Sequence, residues 1–185
     1  PALVPAVGEH LSPGGIAVML GNWEHHRGQD WREHVRAWLP DDLDAWVIQR
    51  ERQDPVEYAA MWLRDGGAPE RDEIAFNARL GAWIDDFAAR GVEAVGMGYL
   101  VLHCPALDDR RRRPWRVLEE VSTVPPGPLG GHVAQVLAAR SRLAGMSDDD
   151  VAALHPVVAP DVTQERHLRP GASDPTVILI RQGGG

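Results

Sequence analysis

The sequence predicts an α/β layer, with strands covered by helices, followed by a small α+β module of winged-helix-like order. Three observations carry this prediction. The apolar runs Ile16–Leu20 and Leu43–Ile48 are continuous rather than alternating, as in strands buried on both faces. Between such runs stand helical stripes with recognisable caps. Beyond Pro105 the composition changes, and two helical patterns precede short extended stretches, the order of a winged-helix-like unit. The expected division is 1–104 for the α/β part, 105–126 for a linker or hairpin, and 127–185 for the module.

Each element follows from its residues. Residues 2–11 read as the end of a helix, broken by Ser12-Pro13-Gly14-Gly15. The strand Ile16–Leu20 then meets the polar cluster Asn22-Trp23-Glu24-His25-His26, read as the strand end and a solvated loop. Asp30 and Glu33 stand at capping-box spacing, and Trp31, Val35, Trp38 and Leu39 line one helical face up to Pro40. A second strand, Leu43–Ile48, ends on Gln49-Arg50-Glu51. Asp54-Pro55-Val56-Glu57 then combines an N-cap, a first-turn proline and a carboxylate at N3. Residues 70–90 give a longer helix with the stripe Phe76, Leu80, Trp83, Ile84 and Phe87, closed by Arg90-Gly91. The third strand is VEAVGMGYLVLHC, Val92–Cys104, with glycines at 96 and 98 that suggest a bulge or a close backbone contact. In the C-terminal part, Leu129, Val133, Val136, Leu137 and Leu143 mark a helix, and Ser147-Asp148-Asp149-Asp150 caps a short one. Strands are expected over Val157–Val162, through QERHLR, and at Val177–Ile180.

Bulk properties narrow the function classes. The 185 residues are 44% hydrophobic and 25% charged, as in an ordinary globular protein. No apolar stretch nears the ~20 residues of a membrane span. The single cysteine, Cys104, cannot form an internal disulfide, which fits a cytoplasmic setting. A net charge of −8 disfavours wholesale coating of nucleic acid, though local basic patches remain. All 19 basic residues are arginine, a skew of the kind a G+C-rich genome produces.

Motifs for nucleotide or covalent chemistry are absent from the sequence: no P-loop, G-x-G-x-x-G or G-x-S-x-G occurs. Glu24, His25, His26 and His34 invite a metal, but adjacent histidines on a strand point to opposite sides, and the H-x-x-x-H pair of a helical zinc site is missing. No metal is therefore expected. Arg110, Arg111, Arg112, Arg113 and Arg116, close to Trp115, offer cations and a ring to a nucleic acid. Arg166 and Arg169 line the expected wing.

The strings PGGIAVMLGNWEHHRGQDWREHVRAWL and LDAWVIQRERQDPVEYAAMWLRD resemble actinobacterial HemK-type class I S-adenosylmethionine-dependent methyltransferases. The later stretch VVAPDVTQERHLRPGASDPTVILIRQGGG resembles the C-terminal extension of that family. The resemblance implies a Rossmann-like sheet in which Ile16–Leu20 is strand five and Leu43–Ile48 strand six. Val92–His103 would be strand seven, antiparallel and inserted between strands five and six. It also implies that the donor is held by a glycine-rich loop after strand one and an acidic residue ending strand two. The target nitrogen would be held by an Asn/Asp-Pro-Pro-Tyr/Phe motif after strand four. None of these is present, since Pro125-Pro126 follows Val124 rather than an Asn or Asp.

The chain is accordingly expected to be the carboxy-terminal half of a methyltransferase, inactive alone. S-adenosylmethionine would bind the parent protein and not this chain, and no catalytic residue carries over. Ligands of open α/β sheets sit beyond the carboxyl ends of the parallel strands. Asn22, Trp23, Glu24, Gln49 and Arg50 are therefore the expected substrate-side wall. The expected partners are RNA, DNA or a protein substrate, the missing amino-terminal half, and a second copy through the exposed sheet edge. The rival expectation is a non-enzymatic nucleic-acid-binding module built on the arginine loop and wing.

Overall fold

A computed structural model describes residues 3–67, 72–106, 113–121, 128–158, 160 and 162–182. The chain is mixed α/β, with a four-stranded mixed sheet and a separate two-stranded one. In the first sheet β1 (Ile16–His26), β2 (Asp44–Gln53), β3 (Val92–His103) and β4 (Arg116–Glu120) stand in the order β1-β3-β2-β4. β3 is antiparallel to both β1 and β2, and β4 is parallel to β2. Thus β1, β2 and β4 share one direction, with β3 reversed between the first two.

Helices cover both faces of this sheet. On one face α1 (Leu3–Ala6) and α2 (Trp31–Arg36) supply Val4, Trp31 and Val35 to a core with Ala45, Val47, Leu100, Leu102 and Leu118. On the other, α5 (Gly130–Ala144) packs Leu137, Val133 and Val136 on Trp46 and Val101. The α3 (Pro55–Asp65) and α4 (Glu73–Ala89) pair sets Ala59 and Phe87 against Val92 and Val95. Two covered faces account for the continuous run Leu43–Ile48, but Ile16–Leu20, expected to be buried on both faces, lies on the end strand and alternates exposed with half-buried residues. The side chain of Asp54 accepts from the backbone N–H groups of Val56 and Glu57, fixing the start of α3. Gly91, at φ 68°, takes the left-handed position that closes α4 and turns the chain into β3.

Several bounds differ from those expected. β1 continues to His26 because Asn22–His26 pair with Met97–Val92, so the polar cluster is strand and not loop. Residues 105–126, expected as a linker or hairpin, include β4, whose Ala45↔Arg116 to Gln49↔Glu120 ladder extends the sheet past β2. No strand forms at Val157 and Val158, and the extended segment begins at Val162.

The chain divides into two compact units: 1–124 with 129–145, and 125–128 with 146–185. The helix α5, expected with the C-terminal module, belongs to the first unit because Leu137 is buried against the sheet. The second unit comprises α6 (Asp148–Ala152) and a hairpin of β5 (Val162–His167) and β6 (Val177–Gln182). No helix among the described residues is long and apolar enough to cross a membrane.

The face of β1 that follows Val101 and Trp46 is left open. Val18 pairs with Val101, which pairs with Trp46, so all three point the same way. Yet α5 covers only the last two. Ile16, Val18 and Leu20 are 45%, 57% and 80% exposed on a strand at the end of the sheet.

Candidate functional site at the carboxyl ends of the parallel strands

The carboxyl ends of β1, β2 and β4 bring Asn22–His26, Gln49–Gln53 and Glu119–Glu120 to one edge. Their groups are bonded to one another in an ordered set. Trp23 and Gln49, 26 residues apart in sequence, are both almost wholly buried, and the Trp23 indole N–H donates to Gln49 Oε1 at 2.7 Å. His25 Nε2 lies 2.8 Å from the same oxygen. The Trp23 ring stacks on Trp31 at 5.2 Å between centroids and 15° between planes. Trp31 in turn donates its N–H to Glu120 at 2.9 Å, and the Arg32 guanidinium lies 4.9 Å over the Trp31 ring while reaching Glu120 at 3.3 Å. The sheet register and the first turn of α2 therefore build one layered wall.

Glycine makes the wall possible. A Cβ at Gly96 would lie 2.5 Å from Trp23 Nε1 and closer still to Gln49 Oε1. At Gly98 it would collide with the Ile48 carbonyl, where β2 bulges between Gln49 and Glu51. The G-x-G in β3 is thus both the bulge partner and the close contact that its position suggested.

The other expected wall residues are placed as follows. Asn22 is exposed and donates to the Tyr58 hydroxyl at 2.7 Å, tying β1 to α3. Burial is the largest influence on the Tyr58 phenol and pushes its pKa up. Glu24 is bonded to the Arg90 guanidinium and sits 3.2 Å from His26 Nε2. Arg90 also pairs with Asp86 at 2.7 Å, and its bonds to Glu24 and Asp86 hold its pKa above the ordinary value. Arg50 is exposed and leans on Tyr99, its guanidinium 5.9 Å from the ring centroid. Trp23, expected as a stacking face, offers none to a ligand: it is 2% exposed and stacked on Trp31.

Histidines 25 and 26 point to opposite sides, toward Gln49 and toward Glu24 with the Arg90 carbonyl. Among the described residues no three His, Cys, Asp or Glu side chains converge to hold a metal. Trp31, Tyr58, His25 and Glu120 were not anticipated at the site. Only His25 had a signal, since the i, i+2 step from Trp23 keeps it on the same face of a strand.

Of the basic residues expected to grip nucleic acid, Arg110, Arg111 and Arg112 lie outside the described residues. Arg113, Arg166 and Arg169 are exposed. Arg116 is committed internally, donating to the Pro40 carbonyl at 2.6 Å and pairing with Asp41 at 3.2 Å. At the opposite end of the sheet the fully buried Asp44 accepts from the Trp115 backbone N–H and meets His103 Nδ1 at 2.9 Å, anchoring the entry to β4.

Comparison with protein-family models, curated proteins and solved structures finds no match to this chain.

Proposed function

We propose that this chain is the substrate-side part of a cytoplasmic S-adenosylmethionine-dependent N-methyltransferase acting on a nucleic acid or a protein amide. One observation supports this most: an antiparallel strand, β3, lies between two parallel ones, β1 and β2. That is the order of strands five, seven and six in the methyltransferases the sequence resembles. The free edge of β1, with Ile16, Val18 and Leu20 exposed, is where the fourth parallel strand of such a sheet would lie.

The residues present do not fit the methyl donor. The turn from β1 into α2 carries one glycine, Gly28, and the backbone N–H groups of Arg27, Gln29 and Arg32 already donate to Gly91, His26 and Asp30. Glu24 and Gln49 are already bonded to neighbouring side chains. What this chain contributes is position and exclusion of water: the layered tryptophans give a dry, rigid wall, and such preorganisation lowers a barrier by holding groups in place.

Calorimetry on this chain should show no specific heat with S-adenosylmethionine. The same residues, joined to the polypeptide encoded in frame ahead of Pro1, should bind it with an affinity of roughly micromolar order. Binding by this chain alone, or an upstream frame without a glycine-rich loop and an Asn-Pro-Pro-Tyr/Phe motif, overturns the reading. The exposed Arg113, Arg166 and Arg169 favour nucleic acid as the second reading, in which the chain is a binding module. Its mark is affinity that falls steeply with salt and a slope that flattens when these arginines are replaced.

A further inference from the structure

Two donors converge on one buried oxygen at the end of β1. Indole nitrogen can only donate, so the side of the Gln49 amide facing Trp23 Nε1 must be its oxygen. The orientation of that amide is fixed by chemistry. His25 Nε2 is 2.8 Å from the same oxygen and can bond to it only when it carries a proton. The neutral ring is then the Nε2–H tautomer, and its lone pair resides on Nδ1. That Nδ1 has no protein partner among the described residues and is not buried, for the one buried side-chain atom there without a partner is Gln53 Oε1.

A buried amide and indole are costly unless bonded, and an aliphatic pair would fill the same space without that requirement. Here Gly96 is also needed, because any Cβ would occupy the place of the bond. Three positions on three strands thus serve one hydrogen-bonded arrangement.

We propose that Trp23, Gln49 and Gly96 are positioning residues that hold His25 as the Nε2–H tautomer, so that Nδ1 is presented as an acceptor for the N–H group of a ligand. The ligand class is an uncharged N–H donor, an amide or an aromatic amine. Glu24 and Glu120 at this same edge are each paired with an arginine, Arg90 and Arg32, so the acceptor at Nδ1 rather than a net charge sets the ligand class. The inference deepens the reading of this wall as substrate-side. It is tested on this chain without methyl transfer, so either can fail alone.

Imidazole 15N resonances of the chain distinguish the two neutral tautomers directly. Wild-type His25 should be Nε2–H. Its Nδ1 resonance should move on titration with acetamide or adenosine, and stay still with N,N-dimethylacetamide or N6,N6-dimethyladenosine, which lack the donor. A response to acetamide alone or to adenosine alone supports the proposal and names the source. Trp23→Phe keeps a ring but frees the amide to turn, so the Nδ1–H form should become populated. Gln49→Met should do the same by removing the oxygen, and it serves where the first variant fails to fold. An Nδ1–H ring in the wild type, an unchanged tautomer in both folded variants, or equal responses to the dimethylated probes overturns the proposal.

Discussion

A methyl group added at Gly96 has nowhere to go, since Trp23 Nε1 and Gln49 Oε1 already occupy its surroundings. Gly96→Ala should therefore break both bonds to Gln49 and cost about 3 kcal/mol, read from chemical denaturation. Gly81 is the control. It lies inside α4, and a Cβ there meets nothing within 4 Å. Gly81→Ala should raise stability by about 0.5–1 kcal/mol, because glycine costs a helix interior backbone entropy. If the two variants behave alike, the close contact at Gly96 is not what places glycine there. The sequence marks Gly96 and Gly98 as unusual, since glycine weakens a strand. It does not disclose their partners. Trp23 and Gln49 meet only because β3 lies between their strands and sets both registers. For the same reason Trp23 reads as an exposed ring at a strand end, although it is buried against Trp31.

The short helix α2 shows how an element depends on its cap. It has six residues, too few to hold by propensity alone, and the Asp30 carboxylate accepts from the Arg32 backbone N–H at 3.0 Å. That bond, more than any other influence, holds the Asp30 pKa below its ordinary value. A depressed carboxyl contributes stability above its unfolded pKa and loses it as pH falls through the folded value. Asp30→Ala should cost about 1 kcal/mol near pH 7, by thermal or chemical denaturation, with the difference shrinking below about pH 4. A cost that stays constant into acid would mean the carboxylate is not the cap. The N-cap residues of α2, α3 and α6 could all be read from spacing, because an N-cap is local chemistry, although at α2 Asp30 accepts from Arg32 and the capping box suggested by Glu33 does not form. β4 could not: RVLEE is short and flanked by charge, and only its parallel pairing with β2 makes it a strand. The extension of β1 through Asn22–His26 escaped for the same reason, as polar residues become strand once β3 supplies the ladder.

At the scale of the molecule the two units differ in what holds them. The first has three buried clusters, whereas none of the residues of 146–181 whose burial is described is buried. A lone two-stranded sheet is marginal in water. Amides of β5 and β6 should therefore exchange with deuterium well before those of β3, which is bonded on both sides. Equal protection would show that the hairpin is held by something besides its own ladder. The first unit carries the opposite liability, a strand too good to leave unpaired. β1 offers 11 residues of backbone at the end of the sheet, with neither proline nor lysine to blunt it and with Ile16, Val18 and Leu20 exposed along one face. In solution this edge should pair with that of a second copy, giving an oligomer whose fraction rises with concentration in sedimentation velocity. Leu20 makes the clean probe because it is 80% exposed and supports no core. Leu20→Lys should leave the denaturation midpoint within about 0.5 kcal/mol of wild type while returning the chain to monomer. A wild-type chain that stays monomeric at high concentration would mean that the strand's twist or charge already protects it. An oligomer untouched by Leu20→Lys would place the contact elsewhere, with the exposed apolar residues of the β5–β6 hairpin, Ile178 and Ile180, the next to replace.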